Sequence, residues 1–353
     1  MWTTERLGTL IFAGLLTVGC LENSSEEATA QYRAQILSGN GGTWNGGTWN
    51  GGTWNGGTWN GGTWNGGTWN GGTWNGGTWN GSRIDNITLS VEGSLLKGVI
   101  QPRNRVVQGA DFIGSTFQVY HVISATQKEK FTFRIDDVYL DSLTPANSDH
   151  TKETWRYRMS FRTDADQTWR SVCYDEAGAP ADLVPIVGSY WNFETGARID
   201  SPTAFTLACK DGALEKCVHL GYRPWGSQQS CRGSGWSRQC STVQLKEYHQ
   251  ACIRMLRADY CGDGVTHTVD GTRLDVYDYL QPPVQLREEN WDIEARWTNE
   301  GATCLSTPRH PELWAGGCPD PNNPRRLNKL PKCSPYESRC GMMVSTFDAP
   351  DHR

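Results

Sequence analysis

The sequence predicts a mainly β protein with one helix-containing α+β disulfide-rich domain, preceded by an N-terminal low-complexity repeat. Three observations predict it. Apolar and polar residues alternate with period two in several runs between 82 and 200, separated by Pro, Gly, Asn and Asp. One stretch alone, Val243–Ala258, carries a convincing helical period. Eleven of the twelve cysteines lie from Cys173 onward. The repeat is GGTWN, read eight times from 41 to 80 without a substitution.

The elements follow in order. Arg6 precedes an apolar run from Leu7 to Gly19 that ends at Cys20. The run has signal-peptide length and falls short of the ~20 residues a membrane-spanning helix needs. Thr17-Val18-Gly19-Cys20 resembles a bacterial lipobox. That resemblance implies a signal peptide over 1–20, cleavage before Cys20 and lipid on its thiol. Thr17 departs from the usual Leu. In that family an Asp after the Cys goes with inner-membrane retention. Leu21 stands there instead, which implies an outer membrane lipoprotein, facing the periplasm or the cell surface. The other reading is an ordinary secretory signal cut near Ala28-Thr29-Ala30, well past the apolar run. Acyl burial at ~0.8 kcal/mol per CH₂ makes several chains on one Cys a lasting anchor. Residues 21–40 then form a polar tether.

The array at 41–80 admits three readings. Two Gly in every five residues make order costly, which suits a flexible aromatic stalk. Its Trp side chains would meet a glycan or an envelope protein, or the array is a plain spacer. A four-sided pentapeptide solenoid fits the spacing of Trp44 with Gly42, and the period runs on weakly through Ile84 and Leu89. A flat strand is the third reading, although an odd period sends successive Trp to opposite faces.

Residues 82–200 read as a β-rich domain, a sandwich or barrel. Strands are expected at Thr116–Ile123, Lys130–Leu140, Thr154–Arg162 and Thr168–Tyr174. Phe131, Phe133 and Ile135 alternate with Thr132, Arg134 and Asp136, so the apolar set is expected in the core.

After an export signal, cysteines read as disulfides. The candidates are Cys173, Cys209, Cys217, Cys231, Cys240, Cys252, Cys261, Cys304, Cys318, Cys333 and Cys340, with Cys231/Cys240 and Cys333/Cys340 as local pairs. With Cys20 lipidated, eleven remain, and the odd one is free or joins another chain. No CxxC occurs, which disfavours zinc ribbons and dithiol redox chemistry.

In the helix, Leu245, Tyr248, Cys252, Met255 and Leu256 share one face. It leads into a run of separated motifs. His249-Gln250-Ala251-Cys252-Ile253-Arg254-Met255-Leu256 is followed by Arg257-Ala258-Asp259-Tyr260-Cys261-Gly262-Asp263-Gly264. Then come His267-Thr268-Val269-Asp270-Gly271-Thr272 and Leu274-Asp275-Val276-Tyr277-Asp278. Gly221-Tyr222-Arg223-Pro224-Trp225-Gly226 stands upstream, and Glu294-Ala295-Arg296-Trp297 with Gly301-Ala302-Thr303-Cys304 downstream. Over roughly 205–310 the chain resembles the ADYC domain family, found mainly in myxobacterial exported proteins and lipoproteins. The resemblance implies a compartment and a domain at 201–310. It brings no established activity and no catalytic residues.

Two chemistries are weighed for this segment. Asp259, Asp263, Gly264 and Asp270 fall at positions 1, 5, 6 and 12 of an EF-hand-like loop, so Ca²⁺ is the one cofactor considered. Position 3 is Cys261, which is no oxygen ligand; the alternative is an Asp/Gly turn cluster that caps the helix. Cys261, His267 and Asp270 are also the residue types of a thiol nucleophile with its base, unless Cys261 is oxidised. HExxH, GxSxG and P-loop signatures are absent.

Residues 311–353 read as a Pro-rich Cys-containing tail. Pro319 to Pro324 exclude a helix or a central strand there. The chain is mildly acidic, with 33 Lys+Arg against 38 Asp+Glu, which argues against nucleic acid as a partner. These readings converge on a membrane-anchored lipoprotein of the cell envelope with a non-catalytic structural or ligand-binding role. The alternative is an extracytoplasmic enzyme, cation-dependent, with its site around Asp259–Asp278.

Overall fold

The structure, a computed structural model, describes residues 47–50, 53–54, 67–70, 73–79, 82–100, 104–122, 128–142, 144, 150–175, 178–192, 195–210, 212–232, 237–269, 272–334 and 341–347. Cys20, expected to carry lipid, the expected tether at 21–40, Asp270 and Cys340 lie outside the described residues. The described residues are mainly β.

Four strands come from the repeat array: β1 (Gly47–Asn50), β2 (Thr53–Trp54), β3 (Gly67–Asn70) and β4 (Thr73–Trp79). The next nine are β5 (Ser82–Glu92), β6 (Leu95–Ile100), β7 (Arg105–Gln108), β8 (Thr116–Val122), β9 (Lys128–Leu140), β10 (Trp155–Thr163), β11 (Arg170–Ser171), β12 (Leu183–Trp191) and β13 (Arg198–Cys209). All thirteen share one sheet. Pairing runs from β8 through β9, β10, β12, β13, β3, β1 and β2, and returns to β8. A ladder that closes in this way leaves no free edge along the ring. The described segments of the array are thus strands of this sheet and not a free stalk. Thr and Trp are good strand formers, and the ladder satisfies the backbone groups that Gly leaves bare. Ile84 and Leu89 lie in β5, which is antiparallel to both β4 and β6; the weak five-residue period is therefore not a coil of a solenoid.

Strands β8, β9 and β10 match the expected runs closely. Phe131, Phe133 and Ile135 are buried, with Tyr157 and Met159 beside them. Burial stabilises by ~1.5–3 kcal/mol for each such side chain.

β12 and β13 form a wall shared by two cores. Leu183, Leu207 and Cys209 face the first core, with Phe133 and Tyr157. Val184, Ile186 and Ala208 face the second. Alternation therefore buries both faces, which is why Leu183–Val187 reads as an unbroken apolar run. The boundary expected at 200/201 falls inside β13.

The second core is built by α1 (Ala213–His219), α2 (Leu245–Leu256) and a four-stranded sheet. Before α2 comes a hairpin of β14 (Ser227–Arg232) and β15 (Gln239–Gln244). The sheet has the order β16 (Leu274–Asp278), β21 (Met343–Phe347), β17 (Asp292–Thr298), β18 (Gly301–Leu305). The strand β21 corrects the reading of 311–353 as a loop-like tail. All five of its residues are buried between two neighbours, and a five-residue stretch with Ser345 and Thr346 at its centre, after a Pro-rich loop, carries no periodic signal. The proline segment itself is a separate two-stranded hairpin, β19 (Cys318–Asp320) with β20 (Asn323–Asn328).

Five disulfides join Cys173–Cys209, Cys217–Cys252, Cys231–Cys240, Cys261–Cys318 and Cys304–Cys333. The local pair Cys231–Cys240 is as expected, since β14 and β15 set the two residues directly opposite. The pair Cys333–Cys340 is not formed. Backbone pairing brings Pro331 to Leu305, and this puts Cys333 beside Cys304.

Candidate functional site

The tetrapeptide 258–261 follows α2, and each of its residues has a structural task. Ala258 sits at a left-handed φ of +49°, fully buried. Its N–H donates to Met255 O at 3.0 Å and the N–H of Asp259 donates to Arg254 O at 2.8 Å. That is a Schellman stop, with Ala where Gly is usual. The Asp259 carboxylate is buried, is ion-paired with Arg254, and accepts Gly264 N–H at 3.0 Å. Cys261 is bonded to Cys318, so it carries no thiolate. Gly262, at φ +68°, lies so close to Glu300 O that a Cβ would sit 1.5 Å from it.

Of the expected cation ligands, Asp259 and Asp263 share this loop, and Asp270 lies outside the described residues. Asp263 accepts Val265 N–H at 3.0 Å. Burial, and then the charge of Asp259, push its pKa up. Two guanidiniums close the same loop. Arg254 reaches Thr195 O at 2.6 Å; Arg257 reaches Gly264 O at 2.6 Å, and burial pushes its pKa down. Among the described residues no group of three or more His, Cys, Asp or Glu is placed to hold a metal ion. His267 is buried. Its Nδ1 contacts Ala258 O at 2.9 Å, and its ring lies 5.5 Å from that of Tyr260 and 5.0 Å from that of Trp314.

Tyr260 leads to a buried polar knot. Its hydroxyl donates to Glu294 Oε1 at 2.6 Å. Arg309 clamps the same carboxylate with Nε at 2.7 Å and Nη2 at 2.6 Å. Ser345 donates to Glu294 Oε2 at 2.6 Å and accepts Trp297 Nε1 at 2.8 Å. Arg309 and Glu294 side chains are 0% exposed, so their opposite charges must be matched. Burial pushes the Tyr260 pKa up. Sequence reasoning missed Arg309 and Ser345, because neither lies in a periodic run or motif.

A second knot joins two more motifs. Asp278 accepts Tyr222 Oη at 2.9 Å and the N–H groups of Leu280, Val284 and Gln285 at 2.8–2.9 Å. Trp225 and Arg223 reach back to Thr151 O at 2.9 Å and Thr154 Oγ1 at 3.2 Å. On α2, His249 is wholly buried. Its Nε2 contacts Leu214 O at 2.9 Å, and burial drives its pKa down to about 3. Gln250 accepts Trp191 Nε1 at 2.7 Å.

An open pocket of about 670 Å³ lies beside these knots, lined by Ser230, Arg232, Gln239, Ser241, Tyr248 and Tyr279 among others. Nothing in the sequence pointed to it except the Cys231/Cys240 hairpin that makes one wall.

A family model described as the ADYC domain matches residues 109–311. The match takes in the β-rich strands from β8 onward as well as the motifs at 205–310. No curated protein and no solved structure matches the chain.

Proposed function

The chain belongs to the ADYC domain family, and from that premise we propose a membrane-anchored lipoprotein of the cell envelope whose matched domain is a non-catalytic scaffold. The observation that carries the proposal is the cysteine chemistry. All ten described cysteines are paired, and five disulfides point to folding in an oxidising, extracytoplasmic environment. The lipobox-like Cys20 supplies the anchor. Residues of catalytic type support the same reading by their positions: Cys261 is oxidised, and Asp259, Glu294 and Asp278 hold the fold. The scaffold's partners are envelope ligands, a glycan or another envelope protein, met in part through the Trp of the array.

The test is expression of the full chain and of Cys20→Ser in a Gram-negative host, with a clickable palmitate analogue and membrane fractionation. The proposal expects label and outer-membrane recovery for the natural chain and loss of both for Cys20→Ser. An unlabelled natural chain recovered in the cytoplasm, with reduced thiols, overturns it.

A further inference from the structure

We propose that the pocket between the β14–β15 hairpin and α2 is a binding site for an acidic saccharide. This deepens the ligand-binding reading above and takes only the compartment from it.

The register builds the site. Ser230 pairs with Ser241 and Arg232 with Gln239, so these four side chains stand on one face of the hairpin. Val243, two residues along β15, continues that face. Tyr248 from α2 and Tyr279 from the loop after β16 line the same space. The walls are fixed. Cys231–Cys240 clasps the hairpin, Cys217–Cys252 pins α2 to α1, and Cys231 N–H donates to Gln281 O at 2.9 Å. At about 670 Å³ the space falls in the range of small-ligand pockets.

Its chemistry selects the ligand. Among the described residues four hydroxyls, one primary amide and one guanidinium line it, against one aliphatic side chain, Val243. Such a lining suits a ligand rich in hydroxyls, and tyrosine rings add rigid amphipathic faces at small entropic cost. The donors are free to serve it. Arg232, Gln239, Ser241 and the Tyr248 hydroxyl make no hydrogen bond to another side chain or backbone group among the described residues, and all but Tyr248 are exposed. The Tyr279 hydroxyl accepts Arg296 Nε at 3.2 Å, which leaves its own proton to donate. The charge is one-sided. Among the described residues Arg232 is the single ionised group of the lining, and none of the lining residues is a carboxylate. Asp278, whose charge acts on Tyr248, is already held by four donors. A planar guanidinium with no ion-pair partner among the described residues matches a sugar carboxylate in bidentate fashion.

The test is calorimetry of the full chain with trigalacturonic acid, chitotriose and a Glu-Asp-Glu peptide as probes. Trigalacturonic acid is expected to bind at least tenfold more tightly than the other two. Arg232→Gln and Ser241→Trp are expected to weaken it at least tenfold, with the melting temperature unchanged because both positions are exposed. No binding of trigalacturonic acid, equal binding of chitotriose or of the peptide, or binding untouched by both variants overturns the assignment. The label and fractionation experiment reads the anchor alone, so failure of the site and failure of the envelope reading are separate results.

Discussion

Tyr260 donates its hydroxyl proton to Glu294 at 2.6 Å, and both side chains are buried. The two residues come from separate motifs, 34 positions apart. Their contact ties the two motifs together in the fold. The tyrosine orients a carboxylate whose other role is to neutralise Arg309.

This network predicts a steep cost for removing one charge. Glu294→Gln leaves Arg309 buried without its partner and should destabilise by about 3–5 kcal/mol. Tyr260→Phe removes one bond to a charged acceptor and should cost about 1.5–3 kcal/mol. The pair Glu294→Leu with Arg309→Met should cost less than Glu294→Gln alone. Urea unfolding with the disulfides intact reads all three. Additive losses would contradict the coupling.

The turn after α2 makes a prediction of opposite signs. Ala258→Gly relieves a left-handed Cβ and should stabilise or be neutral, within about 1 kcal/mol. Gly262→Ala drives a Cβ into Glu300 O and should destabilise by more than about 2 kcal/mol. Equal melting temperatures for the two variants would remove the backbone account of the motif.

The buried His249 predicts a pH dependence. Its folded pKa, about 3, lies below the ordinary value of 6.5. The unfolded chain therefore takes up a proton first as pH falls. Its stabilising contribution is complete above pH ~6.5 and is lost towards pH ~3, at up to about 1.4 kcal/mol per pH unit. His249→Gln keeps a donor for Leu214 O and should flatten the stability profile by one proton between pH 6 and 4. Parallel profiles for the two proteins would show that the histidine is not held neutral.

Much of this was legible in the sequence. Alternation gave Phe131, Phe133 and Ile135 their inward faces, and one helical period gave α2 to within two residues at each end. Cysteine content gave the disulfides, and spacing gave one pairing of two. Long-range partners were not legible. Cys333 with Cys304, Arg309 with Glu294 and β21 between β16 and β17 depend on tertiary placement, which leaves no local periodic trace. The strands within the array were obscured for another reason: its five-residue period matches neither the strand nor the helix repeat.

The most direct measurement is the intact mass of the protein taken from native membranes, alkylated before and after reduction. The account predicts a chain that begins at Cys20 with added acyl mass. It also predicts that the ten cysteines from Cys173 to Cys333 take up label only after reduction. Label on those cysteines without reduction, or a chain that keeps its first nineteen residues, would contradict it.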